Sequence, residues 1–153
     1  MAPTLFNFTL NALSGQTTDG AWTKTSLPQG VNSLKSISSG ALGVWGLGDG
    51  GQVLHYKDDR WELSSTQSLE QISVGKDALW GVTSGYEVWK GEQSSGIIQW
   101  SRVHGVLKQI SASESGQVWG TNANGRIWRL KGDQWEQIPG LSFRVNMIQV
   151  DCF

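Results

Sequence analysis

The chain has 153 residues, the size of one domain that can bury a core without disulfide or metal staples. Its net charge of −1, with Lys and Arg scattered along it, gives no electrostatic footprint for nucleic acid or an anionic membrane surface. The single cysteine, Cys152, rules out an intrachain disulfide, and no stretch approaches the roughly 20 apolar residues of a membrane helix.

In chain order, the first apolar segments are Leu5-Phe6-Asn7 and Ala21-Trp22-Thr23, with a weakly marked segment near residues 12–15 between them. Residues 1–8 lack the basic and apolar regions of a signal peptide, so the expectation is a cytoplasmic protein, released, if at all, by a non-classical route. A unit over 34–68 then carries Leu34-Lys35-Ser36-Ile37-Ser38, Val44-Trp45-Gly46, Val53-Leu54-His55 and the isolated Trp61. A second, over 69–106, repeats the order with Leu69-Glu70-Gln71-Ile72-Ser73, Leu79-Trp80-Gly81, Val88-Trp89-Lys90 and Trp100, and has four extra residues between Trp89 and Trp100. A third, over 107–142, has Leu107-Lys108-Gln109-Ile110-Ser111, Val118-Trp119-Gly120, Ile127-Trp128-Arg129 and Gln134-Trp135-Glu136. The tail, Phe143-Arg144-Val145-Asn146-Met147-Ile148, reads as one more first strand.

Each unit reads as four short antiparallel strands. The apolar spacing is 2, and Trp, Val and Ile suit pleated, half-buried surfaces. Gly48-Asp49-Gly50-Gly51, Ser84-Gly85, Asn122-Ala123-Asn124-Gly125 and Gly132-Asp133 supply the tight turns between them. Trp22, Trp61, Trp100 and Trp135 stand 39, 39 and 35 residues apart, the period of a propeller blade. Phe6 precedes Trp22 by 16 residues, as Trp45 precedes Trp61, so head and tail complement each other. The expected fold is all-β: a small β-propeller of four-stranded blades, four in number, in one domain over 1–153. The closing blade is shared by residues 143–153 and 1–33. The complementary ends fit a ring closed within a monomer or between the chains of a homodimer.

The segments Ile72-Ser73-Val74-Gly75, Leu79-Trp80-Gly81-Val82 and Val118-Trp119-Gly120-Thr121-Asn122-Ala123-Asn124-Gly125-Arg126-Ile127-Trp128-Arg129 resemble the tectonin repeat, over about 34–142. The first unit departs from it, with His55-Tyr56 where an aromatic–basic pair stands in the others. The resemblance implies a β-propeller lectin that recognises surface sugars in defence, often of bacteria or other invaders, with one shallow site per repeat. No enzymatic activity is expected, because the sequence offers no paired acids for one cleft beyond a turn. Family members usually have six blades, more than this length accommodates.

Trp45, Trp80 and Trp119 lie on middle strands packed on both faces and are expected to be core. Loops between second and third strands lie at the same end as those between units, and binding residues favour such loops. Asp49, Ser84, Asn122 and Asn124 offer polar groups there, with Tyr56, Trp89 and Trp128 as aromatic platforms for a pyranose face. Lys90, Arg126 and Arg129 suit an acidic sugar or phosphate. The competing reading is that Asp49-Gly50 and Asn124-Gly125 only form turns. The partner expected is a glycan, with a non-catalytic protein-interaction propeller as the alternative. No cofactor is expected: His55 and His104 fall in different units, and no set of three or four convergent ligands is visible. The G-x-G-x-x-G in Gly46–Gly51 precedes a strand where a dinucleotide motif needs a helix, and Asp58-Asp59 fills a turn where a glycosidase would need paired acids in a cleft.

Overall fold

The computed structural model describes residues 13–16, 22–65, 67–94 and 97–139. Among them every regular element is a strand. A two-stranded piece pairs β1 (Leu13–Gln16) with β2 (Trp22–Lys24). The first four-stranded sheet runs β3 (Leu34–Gly40), β4 (Gly43–Gly48), β5 (Val53–Lys57) and β6 (Arg60–Ser65). The second runs β7 (Gln71–Val74), β8 (Leu79–Val82), β9 (Glu87–Ser94) and β10 (Ile97–Val106). The third runs β11 (Gln109–Ala112), β12 (Val118–Thr121), β13 (Ile127–Lys131) and β14 (Gln134–Gln137). All three are antiparallel with strands adjacent in chain order, so each repeat folds as one sheet. The extra residues of the second repeat lengthen the β9–β10 hairpin, whose strands have 8 and 10 residues. The expected strands at Leu5-Phe6-Asn7 and 143–148, and Cys152, lie outside the described residues.

Close packing explains why the Leu and the Trp-Gly recur together. Leu34, Leu69 and Leu107 are buried at the head of each unit. A Cβ on Gly81 would lie 2.5 Å from Leu69 Cδ1, and one on Gly120 would lie 2.5 Å from Leu107 Cδ1 and 2.7 Å from the Gln109 carbonyl. A Cβ on Gly46 would meet Leu34 at 3.2 Å and the Trp61 ring at 3.0 Å. The leucine of the first strand therefore occupies the space a side chain on the second would need.

The sheets stack face to face. Neighbouring sheets approach most closely through their first strands, with β7 between β3 and β11. Polar side chains of these strands stitch one sheet to the next. Ser38 Oγ accepts from Val74 N at 3.0 Å, Ser73 Oγ from Ala112 N at 2.9 Å, and Gln71 Oε1 from Ile110 N at 2.9 Å. Between the first and second sheets, Trp45, Leu47 and Val53 meet Leu69, Val74, Leu79 and Ile98. Between the second and third, Trp80, Val82 and Val88 meet Leu107, Ile110 and Val118, with Trp128, Leu130 and Trp135 packed against them. Trp45 and Trp80 are buried, as a core role requires, and Trp119 is half-buried.

Candidate functional site

The turns between second and third strands share one backbone design. Gly48 N, Thr83 N and Asn122 N each donate to the carbonyl four residues on, at 2.9, 3.0 and 3.1 Å. Asn122 holds its own turn, since its Oδ1 accepts from Asn124 N at 3.1 Å and Arg126 N at 3.0 Å. That leaves the amide nitrogen as its remaining donor. The second and third units are each tied to the turn before them at this end: Leu69 N donates to Gly51 O at 3.0 Å and Leu107 N to Tyr86 O at 2.9 Å. The turns and the connections between units therefore crowd one end of the stack.

Between the second and third sheets, where β10 passes into the third unit, a groove of about 400 Å³ opens. It is lined by Trp128 and Trp135, by the polar residues His104, Asn122, Asp133 and Gln134, and by Gly105, Val106 and Leu107. Both tryptophans are half-buried, anchored in the core between the sheets, and His104, Asp133 and Gln134 are exposed. Gly105 makes the close approach possible. It takes φ +134, and a Cβ there would lie 2.8 Å from Trp135 Nε1. The indole nitrogens of Trp128 and Trp135 are buried without a hydrogen-bond partner. Trp61, Trp89 and Trp100 share that property, so it belongs to the repeat and not to the groove.

This lining combines two aromatic faces with amide, imidazole and carboxylate groups, in the size range of small-molecule sites of about 300–1,000 Å³. Aromatic faces cover the apolar side of a ring, while the polar groups hydrogen-bond hydroxyls. Among the described residues no group of three or more His, Cys, Asp or Glu could hold a metal ion.

Of the residues expected from sequence, the groove brings together Asn122 and Trp128. Alternation along a strand separates the rest. Trp128 packs toward the second sheet, whereas Arg129 lies over Trp119, its guanidinium carbon 5.6 Å from the ring centroid, and donates to Glu136 at 2.8 Å. That bond and the neighbouring Lys131 hold the Glu136 carboxyl below the usual carboxylate range. Trp89 joins the core between the first two sheets. Lys90, which pairs with Glu92 at 2.6 Å, lines a smaller recess of about 170 Å³ between the second and third sheets with Lys76, Asp77, Trp80 and Ser113. Asp49 accepts from Asn32 Nδ2 at 2.9 Å, and Asn32 holds its carboxyl below the usual range. Ser84, Asn124 and Arg126 are exposed on turns.

Tyr56 is not the counterpart of Trp89 and Trp128. Gly46 pairs with Leu54, as Gly81 pairs with Trp89 and Gly120 with Trp128. Tyr56 lies two residues further on, against Trp61 at 5.2 Å, with its hydroxyl on Asp59 at 3.3 Å. His104, Asp133, Gln134 and Trp135 were not anticipated. Only Trp135 carried a signal, as a member of the fourth-strand Trp series.

Comparisons with known proteins bear on the family and the fold. Over 80 residues the chain is 31% identical to Tectonin-1 of Physarum polycephalum, an alignment that takes in 51% of this chain and 32% of that protein. In structure it is similar to human WBSCR16, with a TM-score of 0.59 at 12% identity, covering 78% of this chain and 41% of that one. Prp20p of Saccharomyces cerevisiae, described with its binding to Gsp1p and histones, gives 0.55 at 10% identity, covering 72% of this chain and 33% of that one. The chain thus spans about a third of its Tectonin-1 relative, and the structural likenesses speak to the fold alone. The Tectonin domain matches residues 14–151, nearly the whole chain, and the protein belongs to the tectonin family.

Proposed function

We propose that this protein is a carbohydrate-binding module, a lectin without catalytic activity, and that the groove between the second and third sheets holds the sugar. The observation that carries the reading is the joint placement of Trp128 and Trp135 with Asn122, His104, Asp133 and Gln134 in one groove of about 400 Å³. Half-buried indoles that are fixed in a core lose little entropy on binding, and exposed amide and imidazole groups match sugar hydroxyls. A cell-surface glycan is the partner this chemistry fits, and recognition of such surfaces in defence is the role. Repeated weak sites would gain avidity from multiplicity. The turn residues Asp49, Ser84, Asn124 and Arg126 would contribute to shallower contacts at the same end. We also propose four blades. The β1–β2 pair supports the closing blade, since it supplies two strands ahead of the first complete sheet.

A glycan array that includes bacterial and methylated sugars tests the reading. The expected result is binding to one sugar family, inhibited by the free saccharide and lost in Trp128→Ala with the fold intact. A blank array from folded protein would refute the lectin and leave a protein-interaction propeller.

A further inference from the structure

The three turns between second and third strands share one left-handed position, and only the second fills it with a residue other than glycine. Gly51, Tyr86 and Gly125 each donate back to the start of the turn, at 2.9, 2.9 and 3.0 Å, and take φ of +82, +66 and +76. Glycine adopts this left-handed conformation freely, and a residue with a bulky side chain is strained in it. The second repeat nevertheless carries a tyrosine there. Its backbone role does not require the side chain, because Gly51 O accepts from Leu69 N just as Tyr86 O accepts from Leu107 N. In the first sheet a Cβ at the same position would lie 2.6 Å from the Leu69 carbonyl, so the second sheet is built to admit what the first excludes.

The side chain is not used in the core. Tyr86 is 38% exposed. The neighbouring strand end, Val106, is 61% exposed and pairs with Glu87. Val106 and Leu107 both line the groove of Trp128 and Trp135. A strained, exposed aromatic residue thus stands one hydrogen bond from the wall of the candidate sugar site. Strain of this kind persists where the surroundings impose it, and it clusters at ligand sites.

We propose that Tyr86 and Val106 form a second subsite, in which Tyr86 stacks on the pyranose next to the one held in the groove. This inference rests on the carbohydrate reading above. It makes the preferred ligand a disaccharide or longer chain, with Tyr86 setting the preference for length.

The test is an array printed with mono-, di- and trisaccharides of the same sugar series, probed with the wild type and Tyr86→Gly. Glycine is the residue the other two turns carry, so Tyr86→Gly should fold with an unchanged or higher melting temperature; Tyr86→Asn, which also tolerates the left-handed region, is the second variant. The expected result is wild-type binding that strengthens from one ring to two, with that gain of about tenfold lost in both variants and the single-ring signal retained. Variants that bind every length as the wild type does would overturn the subsite and leave the groove standing. Variants that lose the single ring as well would place Tyr86 in the groove itself and also overturn it. A wild type that binds no glycan would overturn the carbohydrate reading, and this subsite with it.

Discussion

Gly105→Ala couples the fold to the candidate site. Gly105 sits at the bulge between Val103 and Val106 with φ +134, a conformation almost confined to glycine. Holding alanine there costs on the order of 1–3 kcal/mol. The new Cβ would also stand 2.8 Å from Trp135 Nε1 and 2.9 Å from its Cδ1, so the indole must move. Trp135 is packed against the core between the second and third sheets, and displacing a packed ring costs roughly another 1–3 kcal/mol. The smallest sum is about 2 kcal/mol, which for a domain of this size lowers the melting temperature by about 4–8 °C. Because Trp135 lines the groove, glycan affinity should fall by more than the loss of folded protein explains. Thermal unfolding followed by near-ultraviolet circular dichroism, with binding measured well below the transition, separates the two effects. A Gly105→Ala protein with unchanged melting temperature and affinity would refute the packing of Gly105 on Trp135.

Two serines on first strands should behave oppositely. Ser73→Ala removes the acceptor of Ala112 N, leaving a part-buried N–H unpaired, and should cost about 1–3 kcal/mol in urea unfolding. Ser36 Oγ is buried without a partner, so Ser36→Ala should be neutral or stabilising. Acid should destabilise the protein. His55 stacks on Trp45 with centroids 4.1 Å apart, and its burial, followed by Lys57, pushes its pKa below the ordinary 6.5. The unfolded chain then binds the proton more readily, so stability present above pH 6.5 is lost as pH falls below it. Asp49 and Glu136, also lowered, add losses of the same sign at more acid pH. His55→Phe should flatten the first part of the decline between pH 7.5 and 5, read from urea midpoints.

The strand order of each unit was legible because close packing restricts residue type. Only glycine fits under Leu69 and Leu107, and that constraint leaves a periodic mark at Gly81 and Gly120. Asn122 and Trp128 were legible in the same way, one as a turn former and one as a member of a repeated series. Lys90 and Arg129 stand beside Trp89 and Trp128 in the chain, but strand alternation puts them on opposite faces, which adjacency conceals. His104 and Gln134 come to the groove from different sheets, and nothing local marks that meeting. Tyr86 leaves no mark in the sequence, because its left-handed backbone is imposed by the turn and is not signalled by its residue type.

The central claim is that a sugar lies between Trp128 and Trp135. The chain has 9 tryptophans, each with an indole N–H resonance that site-directed Trp→Phe variants assign. Titration with the strongest saccharide inhibitor from the array, followed by ¹⁵N-resolved NMR of those indoles, tests it directly. The account predicts that Trp128 and Trp135 shift first and furthest, while Trp45 stays still. Binding that leaves both unmoved, or that moves only Trp119, would contradict it.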